Sequence, residues 1–169
     1  MDELRAYLES VYEPQANVVF RDAQGANLIQ KHPTIAPLKL RHAGGYVLLG
    51  EDWRNPFLSW ITANSGAVGT SKVLFFISHF HDLANAGISS EIEGPFAVVA
   101  TLGLYNPTEN SAHELGHLYG LTHPWEPSTA DIDTVPDTPS ERLMGYKLGT
   151  GSTGRRLIRP EWDTLNPLQ

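Results

Sequence analysis

Apolar residues recur at helical spacing from the start of the chain. Leu4, Leu8 and Val11, with Tyr7 and Tyr12 beside them, predict an amphipathic helix over residues 2–12, ended by Pro14. Asn17-Val-Val-Phe-Arg-Asp22 then reads as a strand. A polar stretch through Gln24, Gly25 and Lys31-His32-Pro33 separates it from a second short strand, Tyr46–Gly50. In the segment Pro56–Asn64, Phe57, Trp60 and Ile61 fall on one side, which reads as a short helix opening at Asn55 with proline at its first position.

Two continuous apolar runs, Val73–Ser78 and Phe96–Thr101, read as strands covered on both faces. Between them the more polar Gly87–Ile92 reads as a strand at a sheet edge. Asn106-Pro-Thr-Glu109 carries a helix-start signature: Asn106 as N-cap, proline in the first turn and Glu109 placed to close a capping box. That helix is expected to run to about Gly120. Beyond residue 123 the pattern lapses, and Pro124, Pro127, Pro136 and Pro139 with Asp131, Asp133 and Asp137 describe a long acidic loop. A last short helix is expected from Pro160, including Trp162 and Leu165. No internal repeat interrupts this order.

Composition narrows the setting. A chain of 169 residues is the size of one domain with a real core. Twelve Lys+Arg against 19 Asp+Glu leave a net charge of -7, with no basic run, which argues against a nucleic-acid partner. The acidic start, Met1-Asp-Glu-Leu-Arg5, is not a secretory signal, and the longest apolar runs, five residues each at Val73–Ile77 and Phe96–Ala100, predict no membrane insertion. With no cysteine, any metal must be held by His, Asp, Glu, Tyr or water.

The chemistry concentrates in Ser111-Ala-His113-Glu114-Leu-Gly-His117-Leu-Tyr-Gly120-Leu-Thr-His123. On a helix, His113 and His117 stand one turn apart on one face, which suits two imidazole nitrogens on one zinc ion. Glu114 is offset by one residue, so its carboxylate reaches a metal-activated water without becoming a ligand. A glycine at 120 turns the chain at the helix end and brings His123 back as a third ligand. Three imidazoles leave a fourth position open, the arrangement of a catalytic rather than a structural zinc site. A random match to this spacing has odds on the order of one in ten thousand.

The eleven residues His113–His123 match H-E-x-x-H-x-x-G-x-x-H, and the chain resembles the metzincin metalloendopeptidases. The resemblance implies an α+β, zincin-like catalytic domain: a twisted mixed β-sheet, an active-site helix and a mostly irregular C-terminal subdomain. It implies one domain over 1–169, with an N-terminal subdomain of about 1–120 and a C-terminal one of about 121–169. It also implies one catalytic zinc ion, a protein or peptide substrate, and a methionine-containing turn under the metal. Met144, in Arg142-Leu-Met-Gly-Tyr146, is the one methionine besides the initiator and is implied as that apolar floor. Tyr146, two residues on, is placed as in astacin-like and serralysin-like members, which implies a phenol that ligates zinc or stabilises the oxyanion. The alternative reading is a core or surface tyrosine. Pro124 after His123 resembles the serralysins, whereas Asp133–Pro139 is similar to a stretch of the pappalysins, so the clan is assigned and the family is not.

Other groups carry alternatives. His79 and His81, after the first apolar strand, read as solvated or hydrogen-bonded side chains, or with Asp82 as a second, structural metal site. Asp131, Asp133 and Asp137 read as a solvated specificity loop or as a calcium site, although their spacing is not that of an EF-hand. His32 and His42 read as surface residues. Metzincin domains usually begin with a strand, whereas a helix starts here at residue 2, so a trimmed chain or a minimal fold is expected. The expected protein is a monomeric endopeptidase, secreted or delivered outside the producing cell, with a cytoplasmic location left open. Alternatives are a protease effector or toxin domain of a larger protein, and a binding module with a vestigial zinc site. The presence of Glu114, needed for turnover but not for zinc, speaks against the last.

Overall fold

The computed structural model describes residues 2–16, 53–81, 86–102, 106–123, 143–145, 157 and 164–165. In chain order these form α1 (Asp2–Ala16), α2 (Asn55–Ala63), α3 (Ser65–Val68), β1 (Val73–Ile77), β2 (Gly87–Ser89), β3 (Phe96–Ala100) and α4 (Pro107–Leu118). The expected strands at 17–22 and 46–50, Asp82, the acidic loop and Tyr146 lie outside the described residues. Of the expected last helix, Thr164 and Leu165 are helical.

The described residues form an α+β fold around a mixed sheet of order β1-β3-β2. Parallel pairing joins β1 to β3, with Val73 opposite Phe96, and antiparallel pairing joins β2 to β3, with Ile88 opposite Val98. Successive side chains on a strand point to opposite faces, and β3 therefore feeds two cores. Ala97 packs with Leu4, Leu8, Val11 and Tyr12 of α1 and Ala112, Leu115 and Leu118 of α4. Phe96, Val98 and Ala100 pack on the other face with Phe57 of α2 and Phe80. Aromatic rings dominate this second core, with Phe57 stacked on Phe96 at 5.4 Å between centroids.

Several sequence expectations need correction here. All five residues of β3 are buried, as a doubly covered strand requires, but β1 is only half-buried and its Phe76 is 42% exposed. An apolar run reports its composition and not its place in the sheet, and among the described residues β1 is an edge. The edge strand at Gly87 is antiparallel as well as peripheral, yet it pairs for three residues only, because the chain turns at Glu93 (φ 60) and Gly94. Pro14 does not end α1, which continues to Ala16. In a last turn proline forfeits a single ladder bond, and Gln15 holds the turn by donating Nε2–H to the Val11 carbonyl at 2.7 Å. Gln15 Oε1 also accepts from the Leu157 N–H at 2.9 Å, tying α1 to the far end of the chain.

Helix α4 lies between α1 and the sheet, in contact with β2 and β3. Its first turn is capped by Asn106, whose side chain accepts from the Thr108 N–H at 2.9 Å; the bond goes to the second helical residue, one short of the capping-box position. The Tyr12 hydroxyl donates to the Ala112 carbonyl at 2.6 Å, a buried link from α1 to the residue before His113.

Candidate metal centre

Local sequence ends α4 at Leu118, five residues before His123. The Leu121 N–H bonds back to the Gly116 carbonyl at 2.9 Å and the Gly120 N–H to the His117 carbonyl at 3.1 Å, while Gly120 takes φ +94. These two bonds are a Schellman motif, and its left-handed residue is one that glycine adopts without a Cβ penalty. The reversal swings His123 back over the helix face that carries His113 and His117.

The three imidazoles meet edge to edge. His123 Nε2 lies 3.2 Å from His113 Nε2 and 3.1 Å from His117 Nε2. Ligand nitrogens at about 2.0–2.1 Å from a tetrahedral zinc would be about 3.3 Å apart, so the observed spacing fits such an ion. The far side of two rings explains their orientation. His113 Nδ1 donates to the Leu143 carbonyl at 2.8 Å, and His117 Nδ1 to the Leu121 carbonyl at 2.8 Å. A carbonyl can only accept, so each ring carries its proton on Nδ1 and turns the Nε2 lone pair inward. Burial, with His117 beside it, lowers the His113 pKa to about 3, which keeps that ring neutral and able to ligate. The three histidines could hold a metal ion, and among the described residues they are the one such cluster, all ligand atoms lying within 4.8 Å of one another.

Glu114 is buried, and its carboxylate reaches β2. The Ser89 backbone N–H bonds to its carboxylate, while burial outweighs that bond and raises its pKa to about 8. Gly87 makes the approach possible: a Cβ there would stand 2.7 Å from both Cγ and Oε1 of Glu114. Met144 is fully buried beneath α4, its sulfur 2.6 Å from where a Cβ on Gly116, the residue before His117, would sit. Its neighbour Leu143 provides the carbonyl that fixes His113.

His79 is half-buried and His81 exposed, and neither joins the triad. Gly87, Ser89 and the Leu143 and Leu121 carbonyls are parts of the centre that sequence reading did not find. Only Gly87, opening an otherwise polar strand, left a trace in the residue pattern.

Comparison with protein-family models and with curated proteins finds no match. The metzincin resemblance therefore rests on His113–His123 and Met144 themselves.

Proposed function

We propose that the chain is a zinc-dependent endopeptidase with a zincin-like, metzincin-type catalytic domain. The observation that carries this reading is the pairing of a convergent three-histidine cluster with a buried carboxylate, Glu114, one residue from the first ligand. An α+β fold with a mixed sheet and a short antiparallel edge beside the histidine helix is compatible with that architecture. Three neutral imidazoles suit zinc by chemistry, and the open fourth position suits catalysis.

His113, His117 and His123 would hold the ion, which when bound supplies a Lewis acid for the scissile carbonyl and makes water acidic near neutral pH. Glu114 Oε2 takes the proton of the attacking water and returns it to the leaving amine. A substrate strand lies along β2, whose outer edge is unpaired among the described residues, by the logic of strand addition. Met144 serves as the apolar floor that keeps the two helical imidazoles in register. Tyr146 is proposed as the phenol that assists near the zinc.

The test is metal analysis together with cleavage of an unstructured protein such as casein. Stoichiometric zinc and chelator-sensitive cleavage are expected, with E114A retaining zinc and losing at least about 100-fold in rate. Zinc bound without cleavage by the wild type would favour a binding module, and cleavage by E114A would remove the assigned base.

A further inference from the structure

Asn110 Nδ2 and Glu114 Oε2 are among the buried side-chain atoms of α4 that have no hydrogen-bond partner. They are one donor and, in the ionised form that a general base requires, one acceptor, four residues apart. At about 100° per residue the two positions lie about 40° apart around the axis and about 6 Å apart along it. Asn110 falls between Glu114 and His113 around the helix, on the face that carries the candidate chemistry. Side chains on a helix lean toward its N-terminus, so the Glu114 carboxylate reaches back over the turn that Asn110 occupies. Its other oxygen is accounted for on the strand side, where Ser89 donates and Gly87 leaves the space. Asn110 is 6% exposed, and an amide nitrogen buried to that degree without a partner is destabilising unless something satisfies it.

We propose that Asn110 is a positioning residue for Glu114: its Nδ2–H donates, across one enclosed water, to Glu114 Oε2. The water accepts from the amide and donates to the carboxylate, so each unmatched atom gains the partner its chemistry requires. Glu114 is then held from two sides, by the Ser89 N–H on one oxygen and by Asn110 on the other. Its carboxylate plane is fixed before substrate arrives. In its kinetic consequence this rests on the peptidase reading; in its structural consequence it does not.

The experiment has two arms on the full chain. In the first, thermal unfolding with and without zinc is compared for wild type, N110L, E114L and the double variant. Removing one partner strands the other, whereas removing both strands neither, so each single variant lowers Tm and the double lowers it by at least about 3 °C less than their sum. Shifts that add to within about 1 °C overturn the proposal, whether or not the protein cleaves anything. In the second arm, N110L retains full zinc content and loses about tenfold in kcat at unchanged KM. N110S, which keeps a hydroxyl donor at the same place, recovers part of the loss and guards against a variant that merely folds badly. Wild-type kcat in N110L overturns the proposal; absence of cleavage by the wild type overturns the peptidase reading instead and leaves the unfolding arm to decide.

Discussion

Glu114 and His113 are adjacent in sequence, and burial moves them in opposite directions. In the metal-free protein the His113 pKa falls from 6.5 to about 3 and the Glu114 pKa rises from 4.5 to about 8. Each keeps its neutral form in the fold, and each makes stability depend on pH with its own sign. Below pH 6.5 the unfolded chain protonates His113 and the folded one does not, so stability is lost as pH falls toward 3. Glu114 contributes fully below pH 4.5, and its contribution is lost as pH rises through 8, because only the unfolded chain ionises freely in that window. The metal-free E114Q variant is therefore expected to match wild type near pH 4.5 and to exceed it increasingly up to about pH 8, levelling off above. Urea unfolding of the chelated proteins at pH 5 and pH 9 reads the difference. An equal gap at both values would show that burial does not govern this carboxyl.

At the scale of elements, the centre is a junction of a helix and an edge strand. A helix presents His113, Glu114 and His117 in fixed angular order, but it does not decide how far each side chain extends. That is set by β2, where Gly87 gives way to the Glu114 carboxylate and Ser89 bonds it. G87A places a methyl group inside that space, and Glu114 must move while the histidines need not. Expected is unchanged zinc content with a rate of casein cleavage lower by about 10- to 100-fold, since misplacement by about 1 Å has that effect on a catalytic group. Zinc analysis and steady-state kinetics on the same preparation distinguish this from loss of the metal. The strand is short and the helix is long, yet the strand sets the position of the reactive group.

On the scale of the whole molecule, the centre is held by segments distant in sequence. Tyr12 bonds the carbonyl before His113 across 100 positions, Leu143 fixes His113 across 30, and Gln15 bonds Leu157 across 142. An ion that binds the three histidines in the folded chain and not in the unfolded one stabilises the fold by mass action. Chelation is expected to lower Tm by on the order of 10 °C when zinc is present at about 1,000 times its dissociation constant. H113A should abolish most of that difference, which differential scanning fluorimetry with and without chelator measures directly. No described helix is long and apolar enough to cross a membrane.

The parts of the protein governed by short-range periodicity were legible in the residues themselves. The i,i+4 histidines, the Asn106 cap, the Gly120 reversal and the α1 stripe of Leu4, Leu8, Val11 and Tyr12 all follow from helix geometry acting over a few positions. The pairing of three histidines at one point was implied by the same spacing. Contacts without a period were not legible. Nothing in the apolar run Val73–Ile77 says that Phe76 is left exposed while the similar run Phe96–Ala100 is buried throughout, because strand order is decided by pairing partners. Nor does spacing say which backbone carbonyls orient the imidazoles, or that a glycine on a neighbouring strand admits Glu114. Sequence determined the identity and order of the reactive groups on one helix. Tertiary structure alone decided their protonation and aim, since both depend on burial and on backbone groups brought in from segments far along the chain.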